Sequence, residues 1–257
     1  MSSDSKIVSK YLPSLVHENM AEFLKHRRLE LVSGSVSRRK AQKVVTHDNL
    51  LDTETFTKAI QVDGYVILET KDSTTKDRRY RKQIAEVNQK KPTKTFVVIL
   101  DVDSKYASQS PEFITLMKRI PHFDQEKRDH NIDIIIISQY ALSSHILKKM
   151  DLYRSFGTAE CGFTNFEDYQ YHVFLSNIMD TNHSFVPPHR LLSREEEAVL
   201  LKSIHSDKKD LPRIHQSDPP IVWIGGEIGD IVEIKQYSES TGEVLQYRVV
   251  IPPKRIA

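Results

Sequence analysis

A single cysteine, Cys161, stands in 257 residues, which excludes an intramolecular disulfide. Net charge is nearly absent too. Thirty-seven basic residues against 35 acidic ones leave +2, so the whole chain pulls only weakly on nucleic acid and any DNA contact must be local. Long apolar runs are missing: Phe96 to Leu100 and Ile134 to Ile137 fall far short of the roughly 20 residues of a membrane-spanning helix and read as buried strands. No membrane partner is expected. Met1 to Lys6 lacks the apolar stretch of a signal peptide, which predicts an intracellular chain. Cys161 reads as a lone buried cysteine, and no pair among it and the 11 histidines has zinc-site spacing, so neither metal nor cofactor is expected.

What is present suffices for a core: 39% hydrophobic against 28% charged residues, in a length that accommodates two domains. Val16, Met20, Phe23 and Leu24 recur near helical spacing from Ser14 to about Leu31, with Lys25, His26, Arg27 and Arg28 read as a solvated basic face. Tyr65 to Leu68, Thr95 to Asp101 and Ile132 to Ser138 carry the β-branched composition of strands. Between the last two, Phe113, Ile114, Leu116, Met117 and Ile120 predict a helix stopped by Pro121. A further helix follows, capped by Ser143 or Ser144, with Ile146, Leu147 and Met150 as its buried face. Lys71 to Lys94 reads as an exposed loop or a solvated helix. These features make residues 1–180 one α/β domain.

A linker marked by Asn182, His183, Pro187 and Pro188 separates a second unit, residues 181–257. Ser193-Arg-Glu-Glu196 is a capping box that opens a helix running through Ile204. Beyond Asp218-Pro219-Pro220, three strands are predicted at Ile221 to Ile224, Ile231 to Lys235 and Tyr247 to Ile251, separated by turns at Gly225, Gly226, Gly229 and Gly242. The unit reads as a small α+β domain.

The tail presents, in order, His183-Ser-Phe-Val-Pro187-Pro-His189, Leu211-Pro-Arg-Ile214, Asp218-Pro219, Gly225, Gly229-Asp-Ile-Val232, Ser238-Glu239, Gly242 and Tyr247-Arg248. Asp-Pro or Leu-Pro alone is common, but this succession over about 70 residues resembles the assembly domain of the shared eukaryotic RNA polymerase subunit 5 and its archaeal counterpart. The resemblance implies a non-catalytic subunit of a DNA-dependent RNA polymerase that docks on the largest subunit, with other core polymerase subunits as further partners. His189, Arg213, Asp218, Glu239, Tyr247 and Arg248 are its expected partner-docking residues. Two departures remove positive charge: Gly226, Glu227 and Ile228 fill a turn that is usually basic in the family, and Gln236 stands at an arginine position.

For residues 1–180 the resemblance is weaker and implies a jaw domain with an endonuclease-like α/β sheet near downstream DNA, which it would touch weakly within the complex. Ser143, Ser144 and His145 occupy the turn that faces DNA in the family, either as a simple helix cap or as a contact to a phosphate oxygen. The location implied is the nucleus, or the nucleolus for the ribosomal RNA polymerase, with a viral factory or virion as the alternative. One rival is a metal-dependent nuclease built on Glu69-Thr70-Lys71 with Asp52 or Asp63, yet Glu233-Ile234-Lys235 repeats that triplet in the tail by chance. Asp101 and Asp103 read as solvated strand-end carboxylates. The other rival is an interaction scaffold outside any polymerase.

Overall fold

The computed structural model describes residues 13–27, 29, 53–70, 92–102, 104–124, 128–155, 162–179, 186–238, 240 and 242–252. Two units divide the chain, Met1–Ser176 and Asn177–Ala257. The fold is mixed α+β, with one four-stranded sheet in each unit.

In the first unit, helical residues 13–18 precede α1 (Met20–His26), followed by α2 (Thr53–Asp63), β1 (Tyr65–Glu69), β2 (Thr93–Leu100), α3 (Lys105–Ser108), α4 (Ser110–Met117), β3 (Asn131–Ser138), α5 (Ser144–Ser155) and β4 (Thr164–Gln170). The sheet order is β1-β2-β3-β4, with β1 antiparallel to β2 and the other pairs parallel. Phe96 to Leu100 and Ile132 to Ser138 are buried at every position, because a parallel strand covered on both faces has no wet side. One face presents Phe96, Val98, Ile134 and Ile136 to Phe113, Leu116 and Met117 of α4 and Ile146 and Met150 of α5. Glu167 pairs with Ile135 and so lies on the opposite face, where Arg27 at the end of α1 donates to it at 2.8 Å. Arg27 is therefore buried and not part of a solvated basic face. Leu147, expected inside, is 36% exposed. Lys94 belongs to β2, while residues 71–91 and Cys161 lie outside the described residues.

The second unit runs β5 (His189–Leu191), α6 (Arg194–Ser203), β6 (Arg213–His215), α7 (Pro219–Ile224), β7 (Ile231–Ser238) and β8 (Gly242–Ile251), in sheet order β5-β7-β8-β6. The capping box is formed as expected, with Glu196 N–H on Ser193 Oγ at 3.2 Å and Ser193 N–H on Glu196 Oε2 at 2.7 Å. Ile221 to Ile224, expected as a strand, is a helix. Pro219 and Pro220 occupy its first turn, where a missing N–H removes nothing the helix needs. Gly225 at φ 73° closes it, with Gly225 N–H on Val222 O at 3.3 Å and Gly226 N–H on Ile221 O at 3.0 Å, a Schellman motif. A Cβ on Gly226 would stand 2.6 Å from Ile221 Cγ2, so the close needs glycine there as well. β5 and β6 have no counterpart among the expected strands, being three residues each and too short to show a period.

α7 lays Ile221 and Ile224 against Leu191, Ile214, Val232, Ile234 and Val250 on one sheet face. On the other face α6 brings in a buried carboxylate, Glu197, 6% exposed. It accepts from Ile231 N–H at 3.0 Å and from Lys208 Nζ at 2.5 Å, and Lys208 also donates to Gly229 O at 2.9 Å. Three segments distant in sequence are tied through this one group. Trp223 is the only tryptophan of the chain and is fully buried in this unit, so its fluorescence reports this unit alone. In urea unfolding of the full chain followed at Trp223, Glu197→Ala lowers stability by about 2–4 kcal/mol, because it strands a buried amide and an ammonium. Lys208→Met is destabilising as well, because it leaves the buried Glu197 carboxylate without its ammonium. Wild-type stability in Glu197→Ala contradicts this account of the junction.

Candidate partner-docking surface

Successive strand residues face opposite sides of a sheet, so the neighbours Tyr247 and Arg248 on β8 belong to different surfaces. Tyr247 pairs across to Glu233 on β7, which pairs to Arg190 on β5. On this face the Tyr247 hydroxyl donates to Glu233 Oε2 at 3.3 Å, Arg190 Nε donates to Glu233 Oε1 at 3.1 Å, and Arg190 Nη1 donates to Glu196 Oε1 at 2.7 Å. Partial burial, then the Glu233 carboxylate, push the Tyr247 phenol up. The hydrogen bonds from Ser193 N–H and Arg190 hold Glu196 below the ordinary carboxylate range. The Tyr247 head is thus tied into its own unit. Arg213 pairs with Val249, whose side chain shares this face, and is exposed.

The opposite face gathers His189, Arg248 and Asp218. Arg248 pairs with Val232 and His189 with Ile234, both of them core residues beneath α7. His189 Nδ1 lies 2.6 Å from Pro187 O, a distance that places its proton on Nδ1. Burial pushes the His189 imidazole down first; the Pro187 carbonyl and Asp218 oppose the shift and Arg248 adds to it, so both charged groups are close enough to act on the ring. Asp218 uses its backbone carbonyl to start α7, accepting from Val222 N–H at 3.0 Å, and its side chain caps nothing. Arg248 Nε is buried with no hydrogen-bond partner, and its guanidinium forms no ion pair among the described residues. Glu239 lies outside the described residues.

In the first unit, Ser143 starts α5 with its backbone, its carbonyl accepting from Ile146 N–H at 2.9 Å and Leu147 N–H at 3.0 Å. Its hydroxyl oxygen is buried and unpartnered, so the expected side-chain cap is not made there. Ser144 and His145 are exposed, as are Lys148 and Lys149 further along the helix. Of the nuclease alternative, Glu69 closes β1 with Lys94 Nζ 3.9 Å away, and Asp63 ends α2. Asp52, Lys71 and Asp103 lie outside the described residues. Among the described residues no three His, Cys, Asp or Glu side chains are grouped to hold a metal ion.

A family model described as RNA polymerase Rpb5, C-terminal domain, matches residues 178–250. The DNA-directed RNA polymerase subunit Rpo5 of Thermococcus kodakarensis is 44% identical over 75 residues, which are 29% of this chain and 89% of that protein. The chain belongs to the RNA polymerase subunit 5 family. Rpo5 of Pyrococcus horikoshii is likewise 44% identical over 69 residues, 84% of its length and 27% of this chain. The DNA-directed RNA polymerase RPB5 homolog of African swine fever virus is 37% identical over 86 residues, 34% of this chain, and the match spans only 41% of the viral protein. The family match thus falls on the second unit.

Sequence reasoning missed Arg190, Glu197 and the burial of Arg27. Glu197 was discoverable, since it stands three and four residues before Leu200 and Leu201 on the inward side of α6. Arg27 had the same signature, four residues after Phe23. The depressed His189 predicts a pH dependence: the neutral ring is favoured in the fold, so stability is full above the ordinary histidine value of about 6.5 and falls as pH drops below it. Trp223-detected unfolding free energy declines from pH 7.5 to 5.5, and His189→Gln flattens that decline. An unchanged slope would sink the assignment.

Proposed function

We propose that the protein is a non-catalytic subunit of a DNA-dependent RNA polymerase, docking on the largest subunit through residues 177–257 and placing its first unit as part of the lower jaw beside downstream DNA. One observation carries the reading. The archaeal relative, named as a polymerase subunit in its own right, is matched over 89% of its length by only 75 residues of this chain, and the family model falls on residues 178–250. A subunit nearly equivalent to the tail therefore exists without the additional N-terminal residues, which supports the tail as the docking part. The polymerase's other core subunits complete its surroundings.

The first unit supports the jaw role through α5, whose exposed Lys148 and Lys149 offer local positive charge to a phosphate backbone. With a chain charge of +2, such contacts are weak outside the complex. The protein works where its polymerase works: the nucleus, including the nucleolus for a ribosomal RNA polymerase, or a viral factory or virion. The African swine fever virus relatives give the viral setting a counterpart. Among the described residues no helix is long and apolar enough to cross a membrane.

Mass spectrometry of complexes recovered with the tagged full chain identifies the two largest polymerase subunits if the proposal holds. A 177–257 fragment recovers them and a 1–176 fragment does not. Recovery by the 1–176 fragment alone would reverse the assignment of docking to the tail, and recovery of no polymerase by the full chain would favour the independent scaffold. Within recovered polymerase, the double substitution Lys148→Glu and Lys149→Glu lowers crosslinking of this chain to downstream DNA by about threefold or more, at unchanged polymerase recovery. Unchanged crosslinking would remove α5 from the DNA-facing side.

A further inference from the structure

We infer that Arg248 is the receptor for a carboxylate, an aspartate or glutamate side chain supplied by the polymerase subunit that covers the α7 face of the second sheet. The inference rests on the docking role proposed above and gives that docking its chemistry.

Arg248 is anomalous for its position. It lies on the sheet face that elsewhere presents Leu191, Val232, Ile234 and Val250 to α7. Its Nε is buried and unpartnered. Among the described residues of the unit, Arg190 is matched by Glu196 and Glu233, Lys208 by Glu197 and Lys235 by Glu243, while Arg194, Lys202 and Arg213, which form no ion pair, are exposed to water as Arg248 is not. While the face is open, water screens the rest of the guanidinium. Once a partner excludes that water, a cation left unpaired becomes costly, and the cost is removed only by an opposite charge with good geometry.

Two neighbours narrow what can answer it. Asp218 sets a negative charge beside the site but lies beyond ion-pair distance of Arg248, its backbone committed to starting α7 between His215 O and Val222 N–H. His189 spends its Nδ1 proton on Pro187 O, which leaves Nε2 as an acceptor in the neutral ring. The site therefore has one fixed positive charge, one nearby negative charge and one acceptor. It lacks the surplus positive charge that holds a nucleic-acid backbone. A single carboxylate, bidentate on the guanidinium, with an adjacent partner N–H or O–H donating to His189 Nε2, meets both demands.

The test uses the tagged full chain recovered from cells with its polymerase. Arg248→Met removes the charge and keeps an unbranched apolar stem. Its Trp223-detected melting is unchanged or higher, since a buried unpaired donor is gone, while polymerase recovery falls at least about tenfold. Arg248→Lys puts an amine at the same place, and a zero-length carbodiimide then couples it to an aspartate or glutamate of a polymerase subunit, located by mass spectrometry. If Arg248→Met melts early, the coupling result decides alone. Wild-type-like recovery by a folded Arg248→Met, coupling only to Asp218, or no coupling overturns the carboxylate receptor and leaves the docking role standing. Failure of the wild-type chain to recover any polymerase takes both down together.

Discussion

The second unit depends on a buried carboxylate. Its sheet has only four strands, two of them three residues long, and a core of that size leaves a domain marginal. Glu197 answers with one side chain that fixes α6, the Lys208 turn and the start of β7 together. Remove that junction and the register of β7 against β5 and β8 has less to hold it. The separation of the surfaces rests on that register, since a slip of one residue would exchange Glu233 for a core position.

With the register fixed, alternation along β8 distributes the chemistry. One face ties Tyr247, Glu233, Arg190 and Glu196 into a network satisfied within the unit, which reads as internal bracing. On the other face Arg248, near His189 and Asp218, has a buried Nε without a hydrogen-bond partner among the described residues. Of the residues that family resemblance marks for docking, Tyr247 is hydrogen-bonded within the unit, while Arg248 Nε has no partner among the described residues.

Much of this was legible in the sequence, and the misses have physical causes. β2 and β3 announce themselves because a doubly covered parallel strand must be apolar throughout, as Phe96 to Leu100 and Ile134 to Ile137 are. The capping box at Ser193 is local chemistry and survived intact. Ile221 to Ile224 misled because four apolar residues fit a strand or a buried helix equally, and the deciding signals were the prolines before and the glycine pair after. The chemistry of Ser143 was misjudged in detail, as its backbone starts α5 and its hydroxyl does not. That Arg248 Nε has no partner among the described residues was invisible, because it depends on which residue stands across the ladder and on where α7 begins.

The central claim is that the family-like tail is what joins this chain to a polymerase. Electron cryomicroscopy of the polymerase purified through the tagged full chain tests it most directly. The account predicts residues 186–252 seated on the largest subunit with the α7 face covered. A map in which residues 186–252 face solvent while the first unit makes the contact with the largest subunit would contradict it.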